Sequence, residues 1–357
     1  MNLSLNTKAL AESLRLLEKI VPTKSPLPIL SHVLIRTGDH EVWLSCTDTE
    51  LSLTRTISAV VNEPGAMVLP VKPLLDIVNQ ITEPDVHLFF EKNGARIAAG
   101  QFKLRLQSMH VDNFPNLPTT DANGILLPGV ALRSTIRKVR ACIADVAKRY
   151  QIQGALLVLS KNVLMLVATD GRRLAIAWAA CDIFEQPSVI LPMKLLDVLV
   201  EDDAESYHFK TSFNQIFLES EHATLTATKI DVKFPDYRRT LSTVQKNTNT
   251  LTIPRELLNA AMKRVSLISG DSRVVNFSVA DSTLQLQAKN MTLGEAHEHI
   301  KVVHTGDSAS VHLQSTALID FLDHATKPDI VMKLGDAQAH ALLEDENFIT
   351  IAMSVRA

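Results

Sequence analysis

Residues able to do chemistry are sparse in this chain and fall into four groups. Thr169-Asp170-Gly171-Arg172-Arg173-Leu174 sets two cations between a glycine turn and an apolar residue, which suits either ligand contact or a plain hairpin. From Leu132 to Arg149, six cations (Arg133, Arg137, Lys138, Arg140, Lys148, Arg149) meet one acid, Asp145, a density able to neutralise phosphates. In Glu295-Ala296-His297-Glu298-His299 two imidazoles share one strand face, but no third ligand stands in register. Exposed edge residues are the stronger reading there, and no metal is expected. Cys46, Cys142 and Cys181 are too widely spaced for a zinc knuckle or a disulfide framework. The chain has no Walker A pattern, Gly-rich dinucleotide loop, G-x-S-x-G elbow or H-E-x-x-H helix, so neither a catalytic residue nor a cofactor is expected.

The elements that carry these residues can be read from spacing. Arg133, Arg137 and Arg140 at i, i+4 and i+7 share a helix stripe beside the apolar stripe Leu132, Ile136, Val139 and Ile143. A solvated helix face would look the same. The formal net charge of −3 argues against a nucleic-acid partner for the chain as a whole, so the uneven distribution of charge matters more than its sum. A length of 357 residues, 46% hydrophobic and 21% charged, fits two or three soluble globular domains. The opening MNLSLNTKAL lacks a secretory pattern, and apolar runs such as Val163–Ala168 fall far short of a membrane span. With the scattered cysteines, this points to a reduced, cytoplasmic compartment and no membrane partner.

Internal repetition is the strongest organisational signal. Thr47-Asp48 recurs as Thr169-Asp170, 122 residues on, and Leu69-Pro70-Val71-Lys72 as Leu191-Pro192-Met193-Lys194, again 122 on. Phe114-Pro115-Asn116 recurs as Phe234-Pro235-Asp236 after 120 residues. A period of about 120 is too long for a solenoid unit and indicates a duplicated domain, with the last 110 or so residues a diverged third copy. Boundaries are expected at 1–121, 122–246 and 247–357, with linkers at Pro118–Gly124 and Ser242–Thr250. Each copy reads as strand, helix, strands, helix, strands. Helices are marked by Leu10, Leu14, Leu17 and Val21, strands by runs such as HVLIRT, VLMLVAT and TLQLQA, and hairpin turns by Gly38-Asp39, Ser160-Lys161-Asn162 and Asp281-Ser282. The fold class is α+β, two helices per copy packed on antiparallel sheet.

The segments SPLPILSHVLI, CTDTELSL, NEPGAMVLPVK, DNFPNLP, LVATDGRRLA and KFPDYRRTL, in this order, resemble the bacterial DNA polymerase III β sliding clamp family over the whole chain. The resemblance implies three clamp domains per subunit, closed as a head-to-tail homodimer into a ring around duplex DNA, without catalysis or cofactor. It implies sequence-independent DNA contact through Lys24, Arg133, Arg137, Arg140, Lys148, Arg149, Tyr150 and Lys194, with Lys72, Lys263 and Arg264 adding charge on other helices. A half-buried loop anchor is the alternative for Tyr150. It implies partners in the polymerase III core, the clamp-loader subunits and other proteins with a clamp-binding motif, held in a peptide pocket. Matching pocket positions are Ile152, Thr169, Gly171, Arg172, Arg173, Leu174, Pro235, Arg239, Thr240, Met353, Ser354, Val355 and Arg356. Such a groove, apolar below and cationic at its rim, suits a peptide with Leu or Phe anchors and a polar Gln. Ring closure is implied through Arg96, Lys103, Leu104 and Arg105 against Leu267, Ile268, Glu295 and Glu298.

Two departures from the family stand out. Relatives can carry two adjacent tyrosines where this chain has Tyr150-Gln151, and they often end Met-Pro-Met-Arg-Leu where this chain ends Met353-Ser354-Val355-Arg356-Ala357. Loss of the proline and of apolar bulk implies a looser, less hydrophobic pocket edge. A diverged paralogue acting as a regulatory scaffold is the alternative reading.

Overall fold

Alternating and β-branched apolar runs become strands wherever a short polar turn lets the chain double back. The computed structural model describes residues 1–91, 94–144, 152–184, 186–335 and 339–355. Asp281 and Ser282 are both left-handed (φ +46° and +57°) and join Val274–Ala280 to Thr283–Asn290. Two such residues in succession twist a hairpin the way its strands twist. Asn162 (φ +62°) turns the chain between Gly154–Ser160 and Val163–Thr169.

Three times the chain runs strand, helix, strands, helix, strands, with every strand pairing antiparallel. The helices are α1 (Thr7–Glu18), α2 (Val71–Val78), α3 (Gly129–Arg140), α4 (Met193–Glu201), α5 (Tyr237–Val244), α6 (Arg255–Ser266) and α7 (Ser315–His324). Two sequence expectations need correcting. Helix α1 stops before Val21, because Pro22 disfavours the helical conformation in the residue ahead of it. Helix α5 enters the linker expected at Ser242–Thr250 and leaves only 245–248 irregular. The Asp236 carboxylate caps α5 by accepting from the Arg239 N–H at 3.3 Å, and Tyr237, Leu241 and Val244 give it an apolar stripe. Residues 118–124 carry no regular element.

The fold divides into two units that do not follow the repeats. One comprises 1–130 with 194–229, the other 131–193 with 230–357, so the second copy is shared between them. In the first unit Leu51–Glu63 of copy one pairs with Ala223–Thr228 of copy two, Leu53 opposite Leu225, within a twelve-stranded sheet. Helices α1 and α2 pack together there, with Leu10, Leu14, Leu17 and Leu74 fully buried. A buried ion pair bridges the two copies: Arg55 donates to Asp202 at 2.6 Å, and the Tyr207 hydroxyl donates to the other Asp202 oxygen at 2.6 Å.

In the second unit Arg173–Ala180 of copy two pairs with Phe348–Ala352 of copy three, Leu174 opposite Ile351, within a nine-stranded sheet. A separate four-stranded sheet carries α6 against Thr283–Asn290 and Gly294–Lys301. Phe102–Gln107 is an edge strand of the first unit, and Gly294–Lys301 is an edge strand of the four-stranded sheet.

Candidate partner-binding site

The Thr169–Leu174 turn is built by its own side chains. The Thr169 hydroxyl donates to the Arg173 carbonyl at 2.7 Å and accepts from the Gly171 N–H at 3.1 Å. The Asp170 Oδ1 accepts the N–H groups of Arg172 and Arg173 at 2.9 and 3.0 Å. Gly171 sits at φ +83°, where a β-carbon would strain the backbone.

Copy one repeats this scheme. Thr47 donates to the Leu51 carbonyl at 3.0 Å, and Asp48 accepts from Glu50 and Leu51 at 3.0 and 2.8 Å. Thr49 takes the position of Gly171 at the same φ of +83°. What differs is the strand surface alongside. At the 122-residue offset, Val167, Leu174 and Ile176 of copy two correspond to Ser45, Ser52 and Thr54 of copy one, and Ser45 and Thr54 bond each other at 2.8 Å. Among the described residues, the strand positions beside the copy-two turn are apolar where those beside the copy-one turn are polar.

That floor is a buried cluster of Val167, Leu174, Ile176, Tyr237, Val244, Leu342, Ile349 and Ile351. Met165, Trp178, Phe234 and Leu241 pack against it while remaining partly exposed. None of these four, nor Tyr237, figures among the sequence-predicted pocket residues. For Tyr237 and Leu241 the signal was present in the i, i+4, i+7 spacing of Tyr237, Leu241 and Val244. Phe234 meets Tyr237 edge to face with ring centres 6.4 Å apart, which sets Pro235, Arg239 and Thr240 beside the floor. The Tyr237 hydroxyl is buried and has no hydrogen-bond partner among the described residues. Ile152 is half-buried and leads into Gly154–Ser160, two strands away from Arg173–Ala180.

The C-terminal segment is tied down beside the turn. The Met353 N–H donates to the Arg172 carbonyl at 3.1 Å and the Val355 N–H to the His312 carbonyl at 2.9 Å. The Ser354 N–H donates to His340 Nδ1 at 3.3 Å. Burial holds the His340 imidazole below the ordinary histidine range, which favours the neutral, accepting form. Arg356 lies outside the described residues.

The two arginines of the motif are not alike. Arg173 is largely buried: its Nε donates to Asp170 at 3.0 Å, one terminal nitrogen to Asp320 and the other to the Ala141 carbonyl. It braces the turn against α7 and the end of α3. Arg172 is exposed. Cys142, next to Ala141, is buried, and burial pushes its thiol up to about 12, which removes any nucleophilic role at neutral pH.

Several expected cations are engaged elsewhere. Lys138 points inward, its Nζ bonded to Asn347 and lying 5.8 Å from the centre of the Phe348 ring, on a buried side of α3 that it shares with Thr135 one turn earlier. Lys194 is paired with Asp48, Lys72 with Glu18, Lys263 with Asp323 and Arg264 with Glu298. Arg133, Arg137 and Arg140 lie on α3, and Lys24 is exposed ahead of the short Pro28–Ser31 helix. Lys148, Arg149 and Tyr150 lie outside the described residues.

The expected closure residues sit on or near sheet edges. Lys103 and Leu104 lie on the Phe102–Gln107 edge, with Arg105 beyond them. Arg96, one strand in, stacks over Phe89 at 4.6 Å and lies 3.7 Å from Glu91. Leu267 is 76% exposed and Ile268 half-buried. Glu295 pairs with Lys289 at 3.3 Å, and Arg264 draws Glu298 below the usual carboxylate range. Among the described residues no group of three His, Cys, Asp or Glu is placed to hold a metal ion, and no helix is long and apolar enough to cross a membrane.

Comparison with known proteins covers nearly the whole chain. Residues 1–118 match the family described as DNA polymerase III beta subunit, N-terminal domain, 126–236 its central domain and 243–355 its C-terminal domain. Among similar proteins, the Beta sliding clamp of Haemophilus influenzae is 28% identical over 353 residues, 97% of this chain and 96% of that one. The Beta sliding clamp of Chlamydia pneumoniae is 27% identical over 344 residues, 94% and 93%. The DNA polymerase III subunit beta structure from Pseudomonas aeruginosa superposes with a TM-score of 0.91 at 25% identity, covering 100% of both chains. The beta subunit from Thermotoga maritima reaches 0.93 at 22% identity, covering 100% of this chain and 99% of that one, a likeness of fold.

Proposed function

The chain belongs to the DNA polymerase III beta subunit family and has the function of a DNA sliding clamp, and on that premise we propose how it does this work. Three clamp domains, bounded at 1–121, 122–246 and 247–357, close as a head-to-tail dimer around duplex DNA. The groove beside Thr169–Leu174 then tethers the polymerase core, the clamp loader and other motif-bearing proteins. The protein supplies no chemical step. It supplies confinement.

One observation carries the tethering: the turn is built twice in the chain, and the strand positions beside it that are Ser45, Ser52 and Thr54 in copy one are the buried Val167, Leu174 and Ile176 in copy two, a floor that a Leu or Phe anchor could reach. Closure would bring the Phe102–Gln107 edge, with Leu104 and Lys103, onto the partner's Leu267, Ile268 and Gly294–Lys301 edge, and unpaired edge strands favour such addition. Contact with DNA falls to Lys24, Arg133, Arg137, Arg140, Lys148, Arg149, Tyr150 and Lys194. Lys194 would have to leave Asp48 to reach a phosphate.

Topology provides the test. An open-faced DNA-binding protein loses affinity steeply with salt, because each phosphate contact releases counterions. Loaded by a partner ATPase on a nicked circle, this protein should survive a high-salt wash and leave when the circle is cut. Equal retention on linear and circular DNA, or salt-sensitive loss from the intact circle, would defeat the proposal.

A further inference from the structure

A polar cleft of about 350 Å³ opens beside the apolar groove, walled by the Thr169–Leu174 turn, the Gly270–Ser272 turn and the start of α7. Its cations are Arg172, Arg173 and Arg273. Arg173 is taken up by Asp170 and Asp320. The guanidinium groups of Arg172 and Arg273 have no ion-pair or hydrogen-bond partner among the described residues. Two uncompensated cations therefore line one cleft, with Asp271 the acid left to oppose them. Gln314 and Thr316 add an amide and a hydroxyl able to donate.

The backbone holds both arginines in place. Arg273 is fixed in the left-handed region (φ +52°), which a side chain with a β-carbon rarely adopts. Its N–H donates to the Gly270 carbonyl at 3.3 Å and its carbonyl accepts from the Ser315 N–H at 2.8 Å. The Arg172 carbonyl accepts from Met353 at 3.1 Å, so the cleft shares both the turn and the tail with the groove.

We propose that this cleft reads an acidic side chain of the partner peptide, flanking the apolar anchors. The inference rests on the peptide-groove reading and names the partner's chemistry more closely. A guanidinium matches a carboxylate with two parallel hydrogen bonds, and two arginines on one cleft can hold a single carboxylate from both sides. Because the cleft adjoins the groove, the acid must lie within a few residues of the anchors on the same peptide. A run of phosphates would meet Asp271, whereas one carboxylate need not.

The test is a peptide series built on Gln-x-x-Leu-Phe, with Glu or its neutral isostere Gln at each of three positions on either side, titrated by fluorescence anisotropy. At one position the Glu peptide should bind about three- to tenfold tighter than its Gln twin, the range for one or two exposed charge pairs. Combining Arg172→Gln with Arg273→Gln should erase that advantage, so that the Glu and Gln peptides bind the variant alike, and its thermal unfolding midpoint should match the native protein's, which shows that the variant is folded. If the Gln peptides bind but Glu improves none of them, or if the advantage survives in the double variant, the acidic-reading proposal fails and the groove stands. If no peptide binds the native protein, the groove reading fails and takes this one with it.

Discussion

Arg172 and Arg173 are neighbours in sequence and opposites in environment, so one substitution made at each should give opposite results. Arg173→Leu removes a largely buried guanidinium from Asp170, Asp320 and the Ala141 carbonyl at once. Breaking a buried ion pair typically costs 3–5 kcal/mol. Here Asp320 is 38% exposed and can recover water, and Asp170 keeps its two backbone donors, so about 3 kcal/mol is expected. For a unit of this size each kcal/mol moves the midpoint by roughly 2–4 °C, which gives a fall of roughly 6–12 °C. Arg172→Leu touches no partner and should stay within about 0.5 kcal/mol. Thermal and urea unfolding followed by circular dichroism measure both. Peptide affinity should fall with Arg173→Leu because the Thr169–Leu174 turn loses its brace against α7. Equal effects of the two substitutions, or a loss below about 1 kcal/mol for Arg173→Leu, would refute the brace.

Two further outcomes follow from buried groups elsewhere. Asp202→Ala strands the Arg55 guanidinium, whose Nε already lacks a partner among the described residues, and should cost about 3–5 kcal/mol in urea unfolding; a cost below about 1 kcal/mol would contradict the bridge between copies one and two. His340 is held below the usual histidine pKa by burial, so the folded protein binds fewer protons there than the unfolded chain; its contribution is complete above about pH 6.5 and drains away as pH falls through its lower folded value. The protection factor of the Ser354 amide in hydrogen exchange should drop as the pH is lowered from about 7.5 through the folded histidine's value below 6.5, while Met353 and Val355, bonded to carbonyls, serve as references. An unchanged Ser354 factor would show that His340 does not tether the tail.

Much of the architecture was legible because period and turn chemistry are local signals. Asp281-Ser282 and Lys161-Asn162 turned where expected, and Leu132, Ile136 and Val139 marked the buried side of α3. What escaped depended on partners distant in sequence. Charge density alone could not tell that Lys138 turns to Asn347, more than two hundred residues on, or that Lys194, Lys72, Lys263 and Arg264 each meet an acid. The apolar floor could have been read further: following the 122-residue offset beyond Thr-Asp sets Ser45, Ser52 and Thr54 against Val167, Leu174 and Ile176. The division of copy two between the units was out of reach, since it rests on the Leu53–Leu225 and Leu174–Ile351 pairings.

The duplicated turn has a consequence for occupancy. Copy one keeps the hydrogen-bond scheme, and even the left-handed residue with Thr49 in place of glycine, but not the greasy surface beside it. On the proposed reading, the seat each chain offers is the one beside the copy-two turn. If two chains close one ring, the ring has two seats, however many proteins carry a matching peptide. Residence time and local abundance would then decide who sits, so that small differences in off-rate set the order in which enzymes take their turn on DNA.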